Sequence, residues 1–183
     1  PMGYVSDENA GSYDYDAMLT EMQAGSVESN KWRTENGYAA ITILGWAEPP
    51  HYEAATNELY WAKRLQFADT QGGTLNYDIR ELGRNGVLVV GFIADMASLQ
   101  AVKTAAPDIL KMVGFTEGNR YADFNPDTDK LAEYDVGGLI SGNSAVTAGL
   151  LFVLLAFLKK GGFVLLLAPL AWLFNRFRGK GTS

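Results

Sequence analysis

The period of apolar and polar positions changes several times along the chain, and each change predicts an element. Residues 14–23 place Ala17, Met18, Leu19 and Met22 near one face of a short helix. Asp14 and Asp16 suit its positive N-terminal end. Residues 27–36 read as a second helix or a continuation of the first, closed by Asn36-Gly37. From Tyr38 the period shortens. Residues 40–46 form a β-rich run that Glu48-Pro49-Pro50 is expected to stop, because proline donates nothing to a ladder. Residues 58–67 set Leu59, Trp61, Lys63, Leu65 and Phe67 on one parity. After a turn at Thr70-Gln71-Gly72-Gly73, residues 74–82 alternate Leu75, Tyr77 and Ile79 against Asn76, Asp78 and Arg80. Asn85-Gly86 is a strong hairpin signal. Residues 87–93 are nearly all apolar and predict a central strand buried on both faces.

Four strands in succession with short turns imply an antiparallel meander. Residues 97–113 then read as helical, with Pro107 opening a second half and Leu99, Val102, Ala106, Ile109, Leu110 and Val113 covering the sheet. Residues 127–134 predict a last short helix capped by Asp127 or Thr128. The expected fold class is α+β: an antiparallel β-meander flanked by helices, plus a C-terminal transmembrane or membrane-associated helical segment.

That segment follows from hydropathy. Residues 138–158 carry no charge. At about 1.5 Å per helical residue they match one hydrocarbon thickness. Lys159 and Lys160 fall at the far interface. Residues 163–174 are apolar again, contain Pro169 and Trp172, and are too short to cross alone. They lie in the interface, re-enter the membrane, or continue the first helix with the two lysines at membrane depth. Three regions result: residues 1–136 as an acidic α+β domain, 137–158 as a transmembrane helix, and 159–183 as a basic, apolar tail.

Charge sharpens the division. Residues 1–137 hold 10 Lys+Arg and 21 Asp+Glu, net −11, while residues 138–183 hold the remaining 5 of 15 cations and no acid, net +5. Lys159, Lys160, Arg176, Arg178 and Lys180 are those cations. Positive charge stays with the cytoplasm, so the acidic domain is expected outside it, in a bacterium the periplasm. An acidic body disfavours nucleic acid as a partner and leaves the lipid bilayer as the expected one. The chain begins Pro-Met-Gly-Tyr, without a basic region and an apolar run of the secretory kind. That fits either a cytosolic chain or a removed segment. Gly138 and Gly142 form a GxxxG pattern that Ala145, Gly149 and Ala156 extend as a small-residue face. Such a face lets helices approach closely, so a homo-oligomer is expected.

Catalytic and metal signals are sparse. The absence of cysteine excludes thiolate chemistry and Cys-based metal sites. His51 is the only histidine and follows two prolines; a packing role beside Tyr52 and Trp46 accounts for it. Asp123, Asn125, Asp127 and Asp129 invite comparison with a calcium loop, but Thr128 and Tyr134 occupy the sixth and twelfth places where Gly and Glu belong. No catalytic residue, cofactor or metal is expected. Trp46, Tyr52, Tyr60, Trp61, Phe67 and Tyr77 form an aromatic band across the strands. Trp46, Tyr52, Trp61 and Tyr77 are the candidate lining of a ligand groove, against the ordinary alternative of core and cross-strand packing.

Several runs carry a family likeness: residues 3–10 (GYVSDENA), 45–52 (GWAEPPHY), 59–63 (LYWAK), 74–80 (TLNYDIR), 82–88 (LGRNGVL) and 120–126 (RYADFNP). They resemble the DUF2167 family over nearly the whole chain, as does the glycine-then-apolar C-terminus. The resemblance implies a bacterial, membrane-anchored protein with no assigned activity and no catalytic residues to carry over. It also implies a signal peptide and further upstream sequence, so the chain resembles a C-terminal portion of such a protein. The leading expectation is a non-enzymatic, membrane-anchored extracytoplasmic domain that self-assembles. A channel-like or membrane-remodelling assembly with Lys159 and Lys160 facing a polar interior is the second reading. A hydrolase using carboxylates near the aromatic band is the third.

Overall fold

The computed structural model describes residues 3–142. The architecture is α+β. A four-stranded antiparallel sheet in the order β1-β2-β3-β4 is built from β1 (Ile41–Glu53), β2 (Glu58–Phe67), β3 (Thr74–Leu82) and β4 (Val87–Asp95). Helix α1 (Tyr15–Glu35) precedes it; α2 (Leu99–Leu110) and α3 (Val136–Ser141) follow.

α1 is one helix, so residues 27–36 extend the first helix and do not form a second. Asp14 caps it, accepting from the Asp16 and Ala17 amides, and Asn36 with left-handed Gly37 ends it. The helix runs through Gly25 because it is held against the sheet on both sides of that residue: the Asn30 amide exchanges two 2.8 Å hydrogen bonds with the Ile41 backbone, and Gln23 Nε2 donates to Ile43 O.

β1 does not stop at Pro49-Pro50 but continues to Glu53, with register shifts between Ile43 and Gly45, Trp46 and Glu48, and Glu48 and His51. It is an edge strand, where missing N–H groups and bulges are tolerated. β4 departs from expectation in the opposite sense. It is the other edge, and Val89 and Ile93 are 58% and 79% exposed.

Strand alternation makes two cores. On one face Ala62, Leu75, Tyr77 and Ile79 pack with Ala106 and Leu110 of α2. Pro107 sits inside α2 without dividing it. It is exposed, so water can satisfy the carbonyl it leaves unpaired. On the other face Leu59, Trp61 and Leu82 pack with Val5, Ala10, Val136 and Ile140.

Residues 127–134 are not a helix. The Tyr4 amide donates to Lys130 O and the Ala132 amide to Tyr4 O, so the backbone there pairs with the N-terminal segment instead of with itself. α3 is capped by the Asp135 side chain and buries Val136, Gly137 and Ile140. A Cβ on Gly137 would stand 2.6 Å from the Tyr13 ring, so only glycine permits this approach. Gly142 ends the helix with φ 73°. Among the described residues no helix is long and apolar enough to cross a membrane. The transmembrane and tail segments expected over residues 143–183 lie outside the described residues.

Candidate functional site

The aromatic band divides. Trp46, Tyr52 and Trp61 belong to one face of the sheet and Tyr77 to the other, so the four do not line one groove. Their polar atoms serve the fold. Trp46 Nε1 donates to Tyr15 O at 3.1 Å, and the Tyr52 hydroxyl donates to Asp7 Oδ2 at 2.8 Å. Tyr121 donates to the other oxygen of the same carboxylate at 2.8 Å and stacks on Tyr4. Burial, then the Asp7 contact, pushes the Tyr52 hydroxyl well above the ordinary phenol range. These hydroxyls stay protonated and clamp the N-terminal segment.

Around Trp61 the sheet gathers a set of charges that local sequence does not bring together. Asp78 lies opposite Trp61, and Lys63 opposite Asn76. Period-two alternation therefore brings Trp61, Lys63, Asp78 and Arg80 to one face. Arg80 Nη2 meets Asp78 Oδ1 at 3.0 Å, and the guanidinium lies 4.8 Å from the Trp61 ring centroid. Burial pulls the Lys63 ammonium below its ordinary value; Asp78 opposes that shift and Arg80 adds to it. Trp61 is 1% exposed, and its ring nitrogen is buried without a hydrogen-bond partner. On the β4 side Asp78 faces Gly91, which covers it with no side chain. The set offers two cations against one carboxylate, beside the exposed apolar Val89 and Ile93.

A second cluster lies on the opposite face. Glu58 and Glu81 are register partners across β2 and β3. Tyr60 and Thr56 both donate to Glu58 Oε2. Burial, then the Glu58 charge, raises the Glu81 carboxyl, while the Phe115 amide lowers it. His51 pairs with Tyr60 in register, stacks on it at 5.0 Å, and stands 4.0 Å from Glu48, which Lys103 holds at 2.8 Å. Histidine, tyrosine and a carboxyl that burial makes hold its proton more tightly are the makings of acid–base chemistry. Cross-strand register, invisible in local sequence, is what unites them.

The acidic loop after Asp123 is self-satisfied. Arg84 grips Asp129 through Nε at 2.6 Å and Nη2 at 2.9 Å, the Asn125 amide donates to Asp129, and the Arg120 amide donates to Asp123. The Arg84 contact, then the Asn125 amide, lowers the Asp129 carboxyl to about 2. Among the described residues no three His, Asp or Glu side chains gather as a metal site. A shallow open hollow lies by the β3–β4 hairpin, lined by Asn85, Val87, Gly114, Phe115 and Asn119 among others.

Of the small-residue face, Gly138 lies within α3 and Gly142 is its left-handed terminus, so the pair spans a helix end. Ala145, Gly149 and Ala156 lie outside the described residues, as do Lys159, Lys160, Arg176, Arg178 and Lys180.

The family model of DUF2167, a protein of unknown function, matches residues 1–170, and the chain belongs to that family. No curated protein and no solved structure matches it.

Proposed function

We propose, for this member of the DUF2167 family, that the acidic α+β domain is a membrane-tethered, extracytoplasmic head that works by binding and self-assembly rather than by catalysis. One observation carries the reading. Immediately after a domain of net −11, residues 138–158 contain no charge, and every later charge is positive. That order favours a head outside and a tail inside. The lipid bilayer and further copies of the chain are the partners it implies. Membrane fractionation in a bacterial host tests the tether: the full chain should resist carbonate extraction, and external protease should reach the head but not the tail. Recovery in the soluble fraction would remove the proposal. Self-association is tested by mass in detergent with Gly149→Leu, which is expected to lower it. Gly142 is the poorer choice, because it caps α3 and its substitution would strain the helix end.

A channel-like assembly is separated by Lys159→Leu with Lys160→Leu, which abolishes conductance in a channel and leaves a simple tether intact. The Glu58–Glu81 pair beside Tyr60 and His51 favours a hydrolase as the second reading. A hydrolase-substrate screen on the full chain, with Glu81→Gln and His51→Ala beside it, decides that reading; uniform inactivity retires it.

A further inference from the structure

The strand whose composition suits the middle of a sheet stands at its edge. Residues 87–94 (VLVVGFIA) contain no charge and no proline. Exposed edges are ordinarily blunted by charge, proline, bulges or cover. At β4 none of these is present among the described residues, although β1 carries two prolines, three register shifts and a row of side chains from α1.

The direction of the free backbone groups follows from two hydrogen bonds. Gly83 N donates to Gly86 O across the hairpin, and Leu82 N donates to Asn57 O on the β2 side. In an antiparallel ladder, bonded and non-bonded pairs alternate. Leu88, Val90, Phe92 and Ala94 therefore bond to their β3 partners, and the amides and carbonyls of Val89, Gly91 and Ile93 point out of the sheet edge. The same three residues face the open side of the sheet, where Val89 and Ile93 are the exposed apolar pair.

We propose that this edge is an interaction surface for a second copy of the chain, with two β4 strands pairing antiparallel about Gly91 to make one continuous sheet. The register is self-complementary. Gly91 meets Gly91 of the second copy, each Val89 meets the other Ile93, and the exposed apolar pair of each head is covered by its counterpart. Charge leaves this edge open to the same occupant. Two bodies of net −11 repel each other, and β4 is a strip along which they can join without opposing carboxylates. Asp95, at the strand's end, falls opposite Val87 and not opposite itself. This goes beyond the assembly proposed for the C-terminal run, because the interface lies in the head.

The chain has no cysteine, so Gly91→Cys introduces a single thiol. A Cβ there meets only Asp78 Oδ1, at an ordinary 3.9 Å. In a bonded antiparallel pair, Cα atoms lie about 5.5 Å apart, which suits a disulfide. The full-length variant in detergent, mildly oxidised and run without reductant, should be mostly a covalent dimer. Gly25→Cys, on an open stretch of α1, should remain monomeric. Adding Ile93→Lys should cut the Gly91→Cys dimer about tenfold, whereas adding Gly149→Leu should leave it. Loss with Gly149→Leu but not with Ile93→Lys would overturn the proposal in favour of contact through the C-terminal run alone. A natively folded Gly91→Cys that stays monomeric, or links to a different protein, would also overturn it. Amide exchange on the unmodified chain is the check independent of mutation. The Val89, Gly91 and Ile93 amides should be protected, and the protection should fall on dilution. Fast exchange overturns the pairing; protection unaffected by dilution assigns the edge to a segment of the same chain and overturns it equally.

Discussion

The two edges of the sheet solve the same problem in opposite ways. β1 interrupts its own ladder: Pro49-Pro50 removes donors, its register breaks repeatedly, and Gln23, Asn30 and Arg33 of α1 hydrogen-bond to Ile43, to Ile41 and to Ala39 just before the strand. β4 keeps nine regular pairs with β3 and turns uncharged backbone outward. An edge is thus closed by a helix whose polar side chains stand in for a neighbouring strand, or left in a state that a neighbouring strand completes. Polar residues on α1 that look like solvent-facing positions are the physical content of the first solution.

The contrast breaks most visibly under proline. Val90→Pro removes an amide that bonds to Ile79 and is expected to cost about 3 kcal/mol in urea unfolding. In the dilute, monomeric chain Val89→Pro removes an outward amide and should cost far less; equal costs would contradict the assigned direction of the strand. Next in size, Asn30→Ala strips both bonds from Ile41 and is expected to lose about 2 kcal/mol, with faster exchange of the Ile41 amide as the second readout. An unchanged Ile41 exchange rate would mean α1 does not seal its edge.

A smaller effect concerns the turn that feeds β4. Asp129, gripped by Arg84, has a folded value of about 2 against an ordinary 3.8. Its contribution is therefore full above roughly pH 4 and disappears as pH falls toward 2. Arg84→Met should flatten the acid dependence in that window, measured as urea midpoints at successive pH values. Smallest of all, Ile93→Thr should leave the stability of the monomeric chain within about 0.5 kcal/mol, because the side chain is 79% exposed. A large thermal shift under dilute conditions would show that Ile93 is covered within one chain.

Much of the fold is legible in local pattern. The four strands, their hairpins and the covering helix follow from alternation at Leu75, Tyr77 and Ile79, from Asn85-Gly86, and from the apolar stripe at Leu99, Val102 and Ala106. Three readings fail for one reason. Residues 40–53, 87–95 and 127–134 have neighbours that the local sequence does not name. β1 tolerates proline because it is an edge, β4 is exposed because no strand follows it in the sheet among the described residues, and the Asp127 region pairs with Tyr4. The candidate groove fails likewise. The split of Tyr77 from Trp61 needs the β2–β3 register, because the two lie on different strands. The gathering of Lys63, Asp78 and Arg80 around Trp61 needs the β2–β3 register, and so does the meeting of Glu58 with Glu81.

By itself the sequence determined the four strands, the helix that covers one face of them and the sharp partition of charge, because helix and strand periods and residue charge are local properties. Tertiary structure alone decided which strands became edges, which side chains sealed one of them, and which distant charges share a face. Those outcomes depend on partners far apart in the chain, and a buried hydrogen bond or a strand neighbour is specified by both of its halves together.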